Sequence, residues 1–186
     1  MDISEFTYEL GIHSKKNLNS DVVIISPGIS ETIPIIRECK KNRIPIISEI
    51  EFASFFTNAP ILALTGSNGK TTTVNLLHEM CLNDGRNSLL GGNVGIPFSE
   101  NVLYEMKSKI QNAIHVLELS SFQLEHIDSF KPMIAGLLNI SGDHMDRYSD
   151  INEYAENKLN LIKKMSHSGI IIYNGDDPML TKVLNE

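Results

Sequence analysis

At 186 residues the chain is long enough for one ordinary domain, or one and a fraction. Its 41% hydrophobic content supports a packed core, and no low-complexity segment argues against folding. A net charge of −7, from 16 basic and 23 acidic side chains, leaves no basic stripe for a phosphate backbone, so no nucleic-acid partner is expected. Cys39 and Cys81 are the only cysteines and form no CxxC, which argues against a zinc site or disulfide framework and for a reduced, cytoplasmic setting. Met1 is followed by Asp2 and Glu5, a start without a basic and then apolar leader. No apolar run approaches the roughly 18–20 residues of a membrane span, so no membrane partner is expected either.

In chain order, short β-branched runs alternate with helical patterns. The predicted elements are a strand over 22–26, a helix over 33–41, a strand over 44–47 and a helix over 49–56. Asn58-Ala59-Pro60 then marks a boundary, because Pro60 disfavours helix at Ala59 and a new strand begins at once. Beyond it come a strand over 61–65, a helix over 71–82, a strand over 88–90, a helix over 99–107 and strands over 114–119 and 134–139. A helix over 151–165, a strand over 170–174 and a helix starting at Pro178 complete the series. The strands are continuous apolar runs without in/out alternation, which suits a parallel sheet covered on both faces. The expectation is an α/β fold in two parts, a small N-terminal piece over 1–59 and a larger one over 60–186.

The loop after the strand at 61–65 carries the strongest chemical signal. Gly66-Ser67-Asn68-Gly69-Lys70-Thr71-Thr72 reads as a phosphate-cradling turn that opens a helix. Its glycines let backbone N–H groups converge on an anion, and the helix N-terminus adds partial positive charge. Lys70 would reach the β- and γ-phosphates and Thr71 would ligate Mg²⁺. Leu64 stands where the usual Walker A spacing has its first glycine.

Four further features follow. Gly91-Gly92-Asn93-Val94-Gly95 comes after a strand, where glycines permit close backbone approach to a ligand and Asn93 suits a phosphate or sugar oxygen. Glu118 ends the strand at 114–119, where P-loop enzymes place a metal-binding or water-positioning acid. Beside it, Ser120, Ser121 and Gln123 either cap a helix or contact substrate. His144, flanked by Asp143 and Asp146, offers a metal ligand in a loop that also follows an apolar strand. At 100° per residue, Lys158 falls in the middle of the apolar arc formed by Tyr154, Ala155, Leu159, Leu161, Ile162 and Met165. A lysine there snorkels, shifts its pKa or takes an anion-linked role, and it also suits conversion to a carbamate that ligates metal. Periodicity does not choose among these.

Taken together, the motifs resemble the ATP-dependent Mur ligases of peptidoglycan synthesis, and most closely the branch that adds D-glutamate. The resemblance is carried by Thr65-Gly-Ser-Asn-Gly-Lys-Thr71, Glu118-Leu-Ser-Ser-Phe-Gln-Leu-Glu125, Asp143-His-Met-Asp-Arg-Tyr148, Tyr154-Ala-Glu-Asn-Lys158 and Ser26-Pro-Gly-Ile29, and it spans about residues 20–178. It implies a three-layer P-loop fold with a mostly parallel sheet over 60–186. A partial Rossmann-like, UDP-binding domain would precede it over 1–59, and a C-terminal amino-acid-binding domain would be absent. It further implies two small-molecule substrates besides ATP, UDP-MurNAc-L-alanine and D-glutamate, and a monomer.

In that scheme ATP phosphorylates the carboxylate of UDP-MurNAc-L-alanine, and the D-glutamate amine displaces phosphate from the acyl phosphate. Residues 66–72 hold ATP, with Lys70 stabilising the transferring phosphoryl group. Thr71 and Glu118 hold one Mg²⁺, while His144 and a carbamylated Lys158 hold a second. Asn93, Ser120 and Gln123 contact the UDP-MurNAc-peptide, and Ser26, Pro27 and Gly28 its nucleotide end. No glycine-rich turn precedes residue 20, and the resemblance stops before the D-glutamate pocket, so the chain is expected to be a fragment inactive alone as a ligase. Two alternatives are a folylpolyglutamate synthase-like ligase, against which residues 118–123 speak, and a non-catalytic nucleotide- or UDP-sugar-binding module. Lys70, Glu118, His144 and Lys158 favour an enzyme, because a binder need not keep metal ligands.

Overall fold

The computed structural model describes residues 7–11, 13–142 and 147–185. A short 3-10 helix (Lys15–Asn19) leads into β1 (Val23–Ile25), α1 (Pro34–Lys41), β2 (Ile46–Ser48) and α2 (Glu49–Ser54). Then follow β3 (Ile61–Thr65), α3 (Lys70–Asn83), β4 (Asn87–Gly92), α4 (Phe98–Ser108), β5 (Ala113–Glu118) and the one-turn α5 (Ser121–Leu124). The chain continues through β6 (Ile134–Leu137), α6 (Ile151–Lys163), β7 (Ile170–Tyr173) and α7 (Pro178–Asn185). Each strand expected from the apolar runs forms. β4 extends beyond 88–90 because Gly91 and Gly92 stay in register with Leu117 and Glu118.

β1 and β2 make a small parallel pair, and the other five strands form a parallel sheet in the order β4-β5-β3-β6-β7. Side chains alternate across it as strand geometry requires. Ile61 and Ala63 of β3 join Leu117, Phe98, Val102, Phe130 and Leu161 on one face. Leu62 and Leu64 join Val116, Val74 and Cys81 of α3 on the other. α2, α4, α5 and α6 thus cover one face and α3 the opposite one. The cover expected on both faces holds over β3 and β5 but not over β7, whose four residues are all exposed. α3 packs on β3, β4 and β5, which leaves an apolar groove between Leu76, Met80, Ile172 and Tyr173.

α2 lies before residue 59 yet is fastened to the larger sheet. Ile50 and Ala53 are buried in the same cluster as Phe98 and Leu117. Glu51, 2% exposed, accepts hydrogen bonds from the backbone N–H groups of Asp128 (3.0 Å), Ser129 (2.8 Å) and Phe130 (2.9 Å), and from the Ser129 hydroxyl. A buried carboxylate is tolerated only with such partners. Glu49 accepts from the N–H at the start of α4, on Ser99, and the Ser48 N–H donates to the His126 carbonyl at 2.8 Å.

A second buried polar pair stiffens the far end of the sheet. The fully buried His115 places Nε2 2.8 Å from Glu105 Oε2, which also accepts from the Thr57 hydroxyl at 2.7 Å. Burial lowers the pKa of His115 more than its glutamate partner raises it, and burial lowers that of His126 as well.

Two outcomes follow from these contacts. Glu51→Ala strands three backbone donors and should cost roughly 3 kcal/mol in urea unfolding, whereas a change below about 1 kcal/mol would contradict the anchoring role. For histidines whose folded pKa lies below the unfolded value, the unfolded chain binds more protons. Their stabilisation is therefore complete above about pH 6.5 and drains away as pH falls through the lowered folded values. Unfolding free energy measured against pH should fall below about 6.5, and His115→Gln should flatten that slope.

Candidate functional site

In a parallel sheet every strand delivers its C-terminal end to the same rim, which is where ligands bind in open α/β sheets. Here the rim gathers the loops after β3, β4, β5 and β6. β3, buried along its whole length, feeds Gly66-Ser67-Asn68-Gly69 into α3. Gly69 sits at the N-cap with φ +81°, a left-handed conformation that favours glycine. The N–H groups of Lys70, Thr71 and Thr72 in the first turn have no intrahelical acceptor, so they and the positive helix end face whatever occupies the loop. That arrangement suits an anion.

Lys70 folds back over the loop, its Nζ donating to Gly66 O and Ser67 O, both at 2.9 Å. The Thr71 hydroxyl donates to Glu118 Oε2 at 2.7 Å, across from α3 to the end of β5. Asn93 donates from Nδ2 to Glu118 Oε1 at 2.8 Å and from its backbone N–H to Glu118 O at 2.7 Å. Both oxygens of a carboxylate that is 2% exposed are thereby aimed. The glycines before Asn93 serve the protein's own backbone: a Cβ at Gly91 would collide with Ile96 O, and one at Gly92 with Glu118 O.

Ser120 and Gln123 form a reciprocal capping box on α5. The Ser120 N–H and hydroxyl reach Gln123 Oε1 at 3.0 and 3.1 Å, and the Gln123 N–H donates to Ser120 Oγ at 3.4 Å. Their polar atoms are turned toward each other at the foot of the rim. Lys158 is 1% exposed, in the middle of the buried face of α6 as its periodicity requires. Its Nζ donates to Gly66 O at 3.0 Å and lies 4.4 Å above the Tyr154 ring. Lys70 and Lys158 therefore share one acceptor, the Gly66 carbonyl. His144, with Asp143 and Asp146, lies outside the described residues. Ser26, Pro27 and Gly28 form an exposed turn beyond β1, with Gly28 left-handed at φ +83°.

The Thr71 hydroxyl and Glu118 carboxylate are hard oxygen donors within hydrogen-bond reach of one another, the ligand chemistry Mg²⁺ takes alongside water and phosphate oxygens. Among the described residues, no three His, Cys, Asp or Glu side chains gather as a metal cage. Nor is any helix among them long and apolar enough to cross a membrane.

Sequence reasoning missed the residue that shapes the loop from outside. Asn139, just after β6, accepts through Oδ1 from the N–H groups of Ser67 (3.1 Å) and Asn68 (2.8 Å), and returns a bond from Nδ2 to Asn68 O at 3.0 Å. Ser67 Oγ donates to Ser141 O at 3.0 Å, accepts from Ser141 N–H at 2.9 Å and lies 3.3 Å from the Tyr154 hydroxyl. An asparagine directly after an apolar strand was the available signal.

A parallel sheet whose central strand opens into this loop, with a lysine on the loop and an acid on the next strand, defines a P-loop nucleotide-binding protein. Residues 64–186 match the Mur ligase middle domain, and the chain belongs to the Mur ligase family. It is 44% identical over 178 residues to the UDP-N-acetylmuramoylalanine–D-glutamate ligase of Chlorobaculum parvum, covering 93% of this chain and 37% of that protein. It is 39% identical to the ligase of the same name in Salinibacter ruber, covering 95% of this chain and 39% of that one. The chain thus spans about two fifths of the length of the curated relatives it matches. Among solved structures it resembles the UDP-N-acetylmuramate:L-alanyl-gamma-D-glutamyl-meso-diaminopimelate ligase of Neisseria meningitides (TM-score 0.62, 20% identity, 92% of this chain and 57% of that one). It also resembles a UDP-N-acetylmuramoyl-L-alanyl-D-glutamate–2,6-diaminopimelate ligase (TM-score 0.59, 19% identity, 88% and 42%). At those identities the likeness concerns the fold.

If Asn139 holds the loop open for an anion, Asn139→Ala should weaken Mg-ATP binding about tenfold in calorimetric titration while the far-ultraviolet circular dichroism spectrum stays unchanged. Unaltered affinity would remove Asn139 from the site.

Proposed function

We propose that this chain is the nucleotide- and UDP-sugar-binding part of a cytoplasmic, monomeric UDP-N-acetylmuramoylalanine–D-glutamate ligase. The observation that carries this reading is the meeting of Lys70 and Lys158 at Gly66 O, on the rim where Thr71, Glu118 and Asn93 are joined. A phosphate in the loop would replace the backbone carbonyls as the partner of Lys70, and Lys158 would stand beside the same phosphate. The names of the curated relatives supply the substrate class.

The chemistry then runs in two transfers. A carboxylate oxygen of UDP-MurNAc-L-alanine attacks the γ-phosphorus of ATP, and the bond to the β,γ-bridging oxygen breaks, leaving ADP and an acyl phosphate. The D-glutamate amine next attacks the acyl carbon, loses a proton and expels inorganic phosphate as the amide forms. Lys70 and the first-turn N–H groups of α3 neutralise charge on the transferring phosphoryl group. Asn93 orients Glu118, while Ser120 and Gln123 border the substrate side, and Ser26 to Gly28 face the uridine nucleotide. Mg²⁺, held by Thr71 and Glu118 and at a second position by His144 and a carbamylated Lys158, would supply electrostatic stabilisation of the phosphates. Residues 1–59 are read as the UDP-binding unit and 60–186 as the ATP-binding unit, with α2 as the helix of the first that docks on the second.

Phosphate release from ATP should depend on UDP-MurNAc-L-alanine and D-glutamate in a protein that carries this chain, rise with added bicarbonate, and vanish in Lys158→Ala. Hydrolysis indifferent to the UDP-sugar would refute the ligase reading, and full activity of Lys158→Ala would remove the carbamate.

A further inference from the structure

Arg147 makes a set of contacts that the phosphoryl-transfer scheme does not use. Its Nη1 donates to Gly28 O at 2.7 Å and its Nη2 to Ile29 O at 3.2 Å, so one guanidinium bridges two successive carbonyls of the turn beyond β1. Nη2 also meets Glu125 Oε2 at 3.3 Å, just past α5, and the guanidinium carbon lies 4.7 Å from the centre of the Phe122 ring. Behind it, Tyr148 stacks on Phe122 with centroids 6.0 Å apart and donates its hydroxyl to Glu125 Oε1 at 2.8 Å. Arginine is suited to this place: its planar fork serves acceptors in two directions while its face lies on an aromatic ring, which a lysine cannot do.

The turn it grips is set by its own backbone. Gly28 is left-handed at φ +83°, although a Cβ there would meet nothing within 4 Å, so glycine is required by conformation and not by crowding. That conformation presents the 28 and 29 carbonyls to Arg147, while the Ile29 N–H closes the turn on Ser26 O at 3.3 Å. Beside the grip lies a cleft of about 500 Å³, bordered by Ser30 and Glu31 from the N-terminal unit and by Glu125, Tyr148 and Asn157 from the larger one. In sequence, Arg147 stands three residues after His144.

We infer that Arg147 is a positioning residue for the UDP-sugar substrate: it fixes the turn 26–29 against the segment after α5 and so sets the spacing between the nucleotide end of that substrate and the phosphoryl-transfer rim. This rests on the function proposed above. The guanidinium is itself committed to protein acceptors and acts through the turn that it holds. Removing it leaves the P-loop contacts of Lys70, Thr71 and Asn139 untouched, so the loss should fall on one ligand only.

The test is calorimetric titration of this chain and of Arg147→Ala and Arg147→Lys with UDP-MurNAc-L-alanine and, separately, with Mg-ATP. Hydrogen exchange at the Ile29 amide is followed alongside. The expected result is a loss of UDP-MurNAc-L-alanine affinity of about tenfold or more in Arg147→Ala, partial recovery in Arg147→Lys, faster exchange at Ile29, and Mg-ATP affinity within twofold of the parent. Equal loss for both ligands would mean a general structural role and overturn the inference. So would UDP-sugar affinity unchanged in Arg147→Ala. A parent chain that binds Mg-ATP but not UDP-MurNAc-L-alanine would instead refute the substrate assignment on which the inference rests.

Discussion

The Gly66 carbonyl is the point on which the site is built. It accepts Lys70 from the first turn of α3 and Lys158 from the buried face of α6, two cationic side chains brought to one oxygen beside a helix N-terminus. Like charges repel one another, and the carbonyls of Gly66 and Ser67 with the Tyr154 ring are among the groups that offset this. Asn139 and Ser141 fix Ser67 and Asn68 by bonds that involve neither amine. In the proposed phosphate site, the loop and the amines around it are thus placed by the protein's own hydrogen bonds.

The geometry of the sheet puts the other groups in reach. Because β3, β4, β5 and β6 are parallel, Glu118, Asn93 and Asn139 all emerge on the edge where the loop emerges. Glu118 comes straight off a buried strand, and both its oxygens are already engaged by Thr71 and Asn93. The smaller N-terminal sheet is tied to this edge by means other than a shared strand: α2 inserts Ile50 and Ala53 into the main core, Glu51 caps the 128–130 turn, and Arg147 holds the turn at Gly28. The Glu51 and Arg147 contacts are directional and charge-assisted, and with the apolar packing of Ile50 and Ala53 they fix orientation better than that packing alone.

The strands were legible because buried parallel strands are uninterrupted apolar runs, and the P-loop because glycine, lysine and threonine at that spacing have few other uses. Lys158 was legible from helical periodicity, since a cation amid Tyr154, Ala155, Leu159 and Leu161 conflicts with its neighbours. The roles of Glu51, Asn139 and Arg147 were not. Each acts on backbone groups more than 70 residues away in sequence, and a backbone partner, donor or acceptor, leaves no mark on residue identity. The pairing of Ser120 with Gln123 was visible as a polar cluster, yet only geometry distinguished a capping box. By sequence, the glycines at 91 and 92 suit the close approach of a ligand, whereas the room they leave is filled by Ile96 O and Glu118 O.

A crystal structure of this protein with Mg²⁺ and a non-hydrolysable ATP analogue tests the central claim most directly. The account predicts the β- and γ-phosphates over the first turn of α3, Lys70 Nζ moved from the Gly66 and Ser67 carbonyls onto phosphate oxygens, and Mg²⁺ between Thr71 and Glu118. A nucleotide bound elsewhere, or Lys70 still on the two carbonyls with phosphate in the loop, would contradict it.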